Sequence, residues 1–246
     1  MGSASSSTPL PSRESAIADD ALRIPALNKL ASKRVILASA SPRRKQILAS
    51  IGLHPEIVAS TFEENLPKSE FVGDASYEYP VSTSSHKALE VYHRLVKSDP
   101  DDPPDLVIGA DTVVIDPSEQ ILEKPVDQKD NMRMLQDLNG HKCHVVSGVT
   151  LVYPILQAPG YEVKSLSEKT VVHFADNELS LLQAYVEQGE GLDRAGGFAI
   201  QGHAAVLIRA IEGDYNNVVG FPLFSFISFL NELVQDEALE MGDGDD

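Results

Sequence analysis

The fold class predicted by this chain is α/β, with a mixed, twisted sheet and flanking helices. Apolar, β-branched runs alternate with segments of helical spacing through the first half of the chain. In the second half two strand-like runs are joined by the Pro/Gly-rich stretch YPILQAPGY, which reads as a hairpin and rules out a purely parallel sheet. No internal repeat interrupts this pattern.

The elements follow in order. Val35–Ala38 is a short apolar run suited to a buried strand. Ser41 suits a helix N-cap and Pro42 the first helical position, while Ile47, Leu48 and Ile51 supply an apolar face before Gly52. A second strand is expected over His54–Ser60. Residues 84–97 carry Ala88, Val91, Leu95 and Val96 at helical spacing, with the helix expected to start late because YPVSTSS precedes it. The run LVIGADTVVI at 106–115 is a strand interrupted by Gly109-Ala110-Asp111. A helix capped by Asp127 runs to Leu138 and stops at Gly140. His144–Tyr153 and Leu166–Phe174 are the hairpin strands. Asp176 or Asn177 caps a helix reaching Gln188, with Leu179, Leu182, Tyr185 and Val186 on one face. FAI and AAVLIRAI then read as strands, and FPLFSFISFL enters a terminal helix.

This places the domain at 33–235, preceded by a flexible extension (1–32) and followed by an acidic, disordered tail (236–246). A net charge of −17 argues against a general nucleic-acid binder, which needs a broad basic surface. One cysteine, Cys143, excludes a disulfide framework and a multi-cysteine zinc site. No apolar run has the length of a membrane span and the N-terminus lacks a secretory core, so a cytoplasmic protein is expected.

The most telling segment is LASASPRR at 37–44, where a strand feeds a helix N-terminus. Free N–H groups there, the hydroxyls of Ser39 and Ser41, and the planar forks of Arg43 and Arg44 can cradle a phosphate. The alternative is that the serines only cap the helix and the arginines are solvated. Two arginines in a first turn oppose the helix dipole, however, and call for an anion, whether a ligand or a carboxylate elsewhere in the fold.

Asp111 is costly in an apolar strand unless it is paired, hydrogen-bonded or metal-bound, although a turn at Gly109 would also account for it. Glu63 and Glu64 lie in a loop where a hard cation such as Mg²⁺ can recruit carboxylate oxygens. Lys87 and Lys124 are ordinary lysines in isolation. Collectively these acids and bases form what a magnesium–polyphosphate site requires. Gln201, beside glycine-rich turns, can read a base edge or position water. GEGLDRAGG lacks the dinucleotide fingerprint, and no Walker sequence occurs.

In order, LASASPRR, FEEN, HKALEV, GADTVV, EKPVD, MLQDLNGHKCHVVSGV, YVEQGEGLDRAGGFAIQG and GDYNNVVGFPL resemble the Maf family of nucleoside triphosphate pyrophosphatases, over roughly residues 34–232. The resemblance implies an elongated two-lobed fold with a central cleft, like the inosine triphosphate pyrophosphatases. It also implies hydrolysis at the α–β linkage with a divalent metal, Mg²⁺ or alternatively Mn²⁺. By motif, Ser39, Arg43 and Arg44, with Ser41 between them, fall in the phosphate loop. Asp111 is implied as base and metal contact, helped by Glu64, with Lys87 and Lys124 in the catalytic set and Gln201 binding substrate. SPRR, GADTV and AIQG resemble the branch acting on dTTP, UTP and related pyrimidine nucleotides. A purine-directed inosine or xanthosine triphosphate pyrophosphatase, and a nucleotide-binding cell-division regulator with little turnover, are the alternatives. The resemblance allows a homodimer and implies neither nucleic-acid nor membrane partners.

Overall fold

A computed structural model describes residues 15–236. Its centre is an open seven-stranded sheet in the order β2-β1-β3-β5-β6-β7, with β4 on the far part of β3. The strands are β1 (Val35–Leu37), β2 (Glu56–Ile57), β3 (Leu106–Ile115), β4 (Ile121–Leu122), β5 (Lys142–Pro154), β6 (Tyr161–Phe174) and β7 (Ile208–Glu212). β1 pairs parallel with both β2 and β3, and the remaining pairings are antiparallel. This is the mixed sheet expected from the hairpin signal. The helices are α1 (Pro25–Lys29), α2 (Pro42–Ala49), α3 (Tyr79–Ser98), α4 (Gln128–Leu138), α5 (Leu179–Glu187), α6 (Tyr215–Val219) and α7 (Leu223–Gln235).

Alternation along the strands divides the core. Leu37, Ile108 and Leu151 face α1, α2 and α7, whereas Ile36, Val107 and Val152 face Ala88, Val91 and Tyr92 of α3. A second large cluster gathers Val114, Val145, Val172, α4 and α5. β3 runs from one large cluster to the other, and Asp111 sits between Ala110 in the first and Val114 in the second. Cys143 belongs to the second. Burial pushes its thiol up to about 12, leaving a neutral apolar filler.

Several local expectations are corrected. Residues 15–32 are not a flexible extension. Ile17 bridges to Leu53, and Ala26, Leu27 and Leu30 are wholly or almost wholly buried where α1 packs on α7. The rest of the expected extension, and the tail from 237, lie outside the described residues. The second strand shrinks to Glu56–Ile57, FAI is irregular, and α5 begins after Glu178 without a side-chain cap. Asp127 does cap α4, accepting from the Asp130 N–H at 2.7 Å.

The largest correction concerns α3 and β3. The helix starts at Tyr79, earlier than expected, and β3 is unbroken through Gly109-Ala110-Asp111. Gly109 is therefore no turn. A Cβ there would lie 2.3 Å from the Ser84 carbonyl oxygen and 2.8 Å from the Ala88 Cβ, and one on Gly148 would lie 2.4 Å from the Pro80 backbone. Two glycines facing the same helix let its backbone rest on the sheet. Gly109→Ala is accordingly expected to cost about 1–3 kcal/mol through overpacking. Urea unfolding measures this, and an unchanged midpoint would mean that α3 can lift without penalty.

Candidate active site

The cleft beside β3 has a volume of about 630 Å³. Its walls come from the β1–α2 loop, the loop carrying Glu64, the middle of β3, Glu123-Lys124, the segment Asp193–Ala195 and the α6–α7 junction.

In the β1–α2 loop Ser41 holds the N-cap position and Pro42 opens the helix, but the Ser41 side chain makes no capping bond. Capping therefore does not explain the serines. Ser39 is nearly buried, and its hydroxyl accepts from the Ser41 N–H at 3.2 Å and from Arg44 Nη1 at 3.1 Å. The two arginines diverge. Arg44 donates to the carbonyls of Gly220 (3.0 Å) and Ala110 (2.8 Å) and to the hydroxyls of Ser39 and Thr112 (3.3 Å), which commits four of its five donors to the protein. Burial weakens its hold on the proton, and the negative charges of Asp111 and Glu64 oppose that loss. Arg43 instead reaches across the cleft to Asp193, donating to its carbonyl at 3.3 Å with its carboxylate 3.8 Å away. The anion demanded by basic residues at a helix start is supplied in part by a carboxylate distant in sequence.

At the centre, Lys87 projects from α3 beneath the glycine contact. Its ammonium lies 2.9 Å from Asp111 Oδ1 and 2.8 Å from Glu64 Oε1. Asp111 and Lys87 are each 9% exposed at the side chain, whereas Glu64 is 54% exposed on its loop. Burial pushes the Asp111 carboxyl above the ordinary carboxylate range. Lys87 and Arg44 pull it back down, and Glu64 adds to the rise. A buried carboxylate whose proton affinity is lifted while a lysine fixes one oxygen is suited to taking a proton from water. Glu63 plays no comparable part, since its carboxylate bonds Asn65.

The third feature is cationic. Lys124 Nζ meets Asp193 Oδ1 at 2.5 Å, and Arg194 Nη1 meets Asp193 Oδ2 at 3.2 Å. With Arg43, three cations share one carboxylate. Val114, Val145, Phe198 and Val218 add an apolar lining drawn from the second core cluster.

Of the residues proposed from sequence, Ser39, Ser41, Arg43, Arg44, Glu64, Lys87, Asp111 and Lys124 all line the cleft. Gln201 does not: it is exposed on a turn that follows the cleft-lining Phe198. The glycine pair before it lies against protein instead. Gly196 and Gly197 have φ of 65° and 73°, and Cβ atoms there would lie 2.7 Å from Val114 and 2.1 Å from Asn131. They seat the chain on β3 and α4. Asp193, Arg194 and Thr112 escaped sequence reasoning. The signal for the first two is the adjacent charged pair in GEGLDRAGG.

Fold and site define an open-sheet α/β protein whose cleft sets a carboxylate–lysine centre beside clustered cations, a class suited to phosphate anhydride chemistry. The chain belongs to the Maf family, described as Maf-like protein, which matches residues 34–233. It is 43% identical over 223 residues to a dTTP/UTP pyrophosphatase of Schizosaccharomyces pombe, covering 88% of each chain. It is 41% identical over 201 residues to a dTTP/UTP pyrophosphatase of Saccharomyces cerevisiae, covering 77% of this chain and 85% of the yeast protein. It is also 44% identical over 211 residues to a human probable bifunctional dTTP/UTP pyrophosphatase/methyltransferase protein. That match takes in 85% of this chain but only 33% of the longer human protein.

Proposed function

We propose that the chain hydrolyses dTTP, UTP and modified pyrimidine nucleoside triphosphates at the α–β linkage, releasing the monophosphate and pyrophosphate. The observation that carries this is Lys87 held between Asp111 and Glu64 in a cleft that also gathers Arg43, Lys124 and Arg194. The names of the relatives supply the pyrimidine preference.

Asp111 takes a proton from water as its oxygen attacks the α-phosphorus, and the bond to the departing pyrophosphate oxygen breaks. Lys87 fixes Asp111 for that transfer, and the cations offset charge on the leaving group. Asp111 and Glu64 also suit a divalent ion, Mg²⁺ or alternatively Mn²⁺. Among the described residues no group of three His, Cys, Asp or Glu gathers for a metal, so substrate oxygens and water would complete its shell. When bound, the ion supplies further neutralisation of phosphate charge.

Among the described residues no helix is long and apolar enough to cross a membrane. On this reading the chain works in the cytoplasm on free nucleotides, and a net charge of −17 supports the exclusion of nucleic acid. The decisive assay is pyrophosphate release by purified chain with Mg²⁺ from dTTP, UTP, their modified analogues and ITP. Turnover of dTTP and UTP above ITP is expected. Preference for ITP would establish the purine alternative, and no release from any triphosphate by folded protein would sink the reading.

A further inference from the structure

The cluster around Asp193 has an unusual balance. Asp193 ends a short 3-10 turn, Glu190–Asp193, and presents three oxygens to the cleft cations. Lys124 takes Oδ1, Arg43 and Arg194 face Oδ2, and both arginines donate to the carbonyl oxygen, at 3.3 and 3.0 Å. This is the pattern a phosphate group would present. The carboxylate itself is 65% exposed, whereas Arg43 and Arg194 are 18% and 24% exposed. Arg194 Nε is buried and meets no hydrogen-bond acceptor among the described residues. The two arginines are thus built into the wall, whereas Lys124, 63% exposed, and the shared Asp193 carboxylate are free to turn toward water.

We propose that Asp193 is a surrogate for a substrate phosphate. It holds Arg43, Lys124 and Arg194 in a phosphate-ready arrangement, and a triphosphate competes with it for them, with Arg194 a further phosphate-binding residue. Burial and repulsion from Arg194 and Arg44 weaken Arg43's hold on its proton, and Asp193 opposes this. Mutually repelling cations so close need an anion at all times, and the surrogate supplies one before substrate arrives.

The proposal rests on the triphosphate reading above, so its test separates the two by using binding alone. Sodium tripolyphosphate is titrated calorimetrically into the full chain, into Asp193→Asn and into Arg194→Lys, with circular dichroism confirming each fold. Removing the competing charge in Asp193→Asn should tighten binding about three- to tenfold, since exposed pairs are individually weak and three are involved. Arg194→Lys should weaken it about threefold or more, because the planar fork is lost. KM for dTTP should fall in Asp193→Asn. Unchanged or weaker tripolyphosphate binding in Asp193→Asn would make this an ordinary surface ion-pair cluster, even if the wild type hydrolyses dTTP. Tighter binding in a chain that hydrolyses no triphosphate would uphold the surrogate and overturn the enzymatic reading.

Discussion

Asp111→Asn is expected to lower turnover by about 10²–10⁴-fold, the usual cost of removing a general base. The substitution is close to isosteric, and the amide oxygen can still accept from Lys87, so the fold should survive. Tripolyphosphate affinity should be retained, because the phosphate-binding cations are held by other groups. The pH profile gives a second readout. Since burial lifts the Asp111 carboxyl above the ordinary range, wild-type kcat/KM should fall as pH drops through a midpoint higher than a solvated aspartate would give. Near-normal turnover in folded Asp111→Asn would move the base to Glu64.

Lys87→Met is expected to be the most destabilising change in the site, at about 3–5 kcal/mol near neutral pH, because it strips a nearly buried carboxylate of its hydrogen-bonded partner. Glu64 is half exposed and can turn to water, so the penalty falls on Asp111. The sign of the pH dependence follows from linkage. Without Lys87 the folded-state pKa of Asp111 rises further above its unfolded value of about 3.9. Below that value the carboxyl is protonated in both states and the deficit is smallest. The deficit grows as pH rises toward the elevated folded value. Urea unfolding of variant and wild type across acid to neutral pH measures the difference, and a gap that narrows with rising pH would show that Lys87 does not stabilise ionised Asp111. The acid limb of any residual activity should move to higher pH.

The sequence marks residues that the fold brings together in the cleft but not their connections. Asp111 is legible because a charged group in an apolar run demands a partner, Glu64 and Lys87 only through the collective charge set and the family motifs, and the Asp127 cap because its signal is local. The course of α3 is not legible in this way. YPVSTSS has poor helix formers, yet it becomes helical because Gly109 and Gly148, on two different strands, let it lie on the sheet. Packing across the chain overrides local preference. For the same reason α1 is not legible: Ala26, Leu27 and Leu30 join a core that includes α7, far away in sequence. The Asp193 cluster joins groups up to 150 positions apart, and no local pattern marks it. Gln201 differs in the opposite direction: its neighbours fit a motif, but it stands exposed on a turn outside the cleft lining.

Adjacent arginines that look interchangeable on paper have different duties: Arg43 faces Asp193 across the cleft, and Arg44 is a rivet. Arg44 fastens α2 to the middle of β3 and to the α6–α7 junction at Gly220 through one side chain. That wall cannot gape without unmaking several hydrogen bonds at once. Displacing the exposed carboxylates of Glu64 and Asp193 on the other side disturbs far less of the fold.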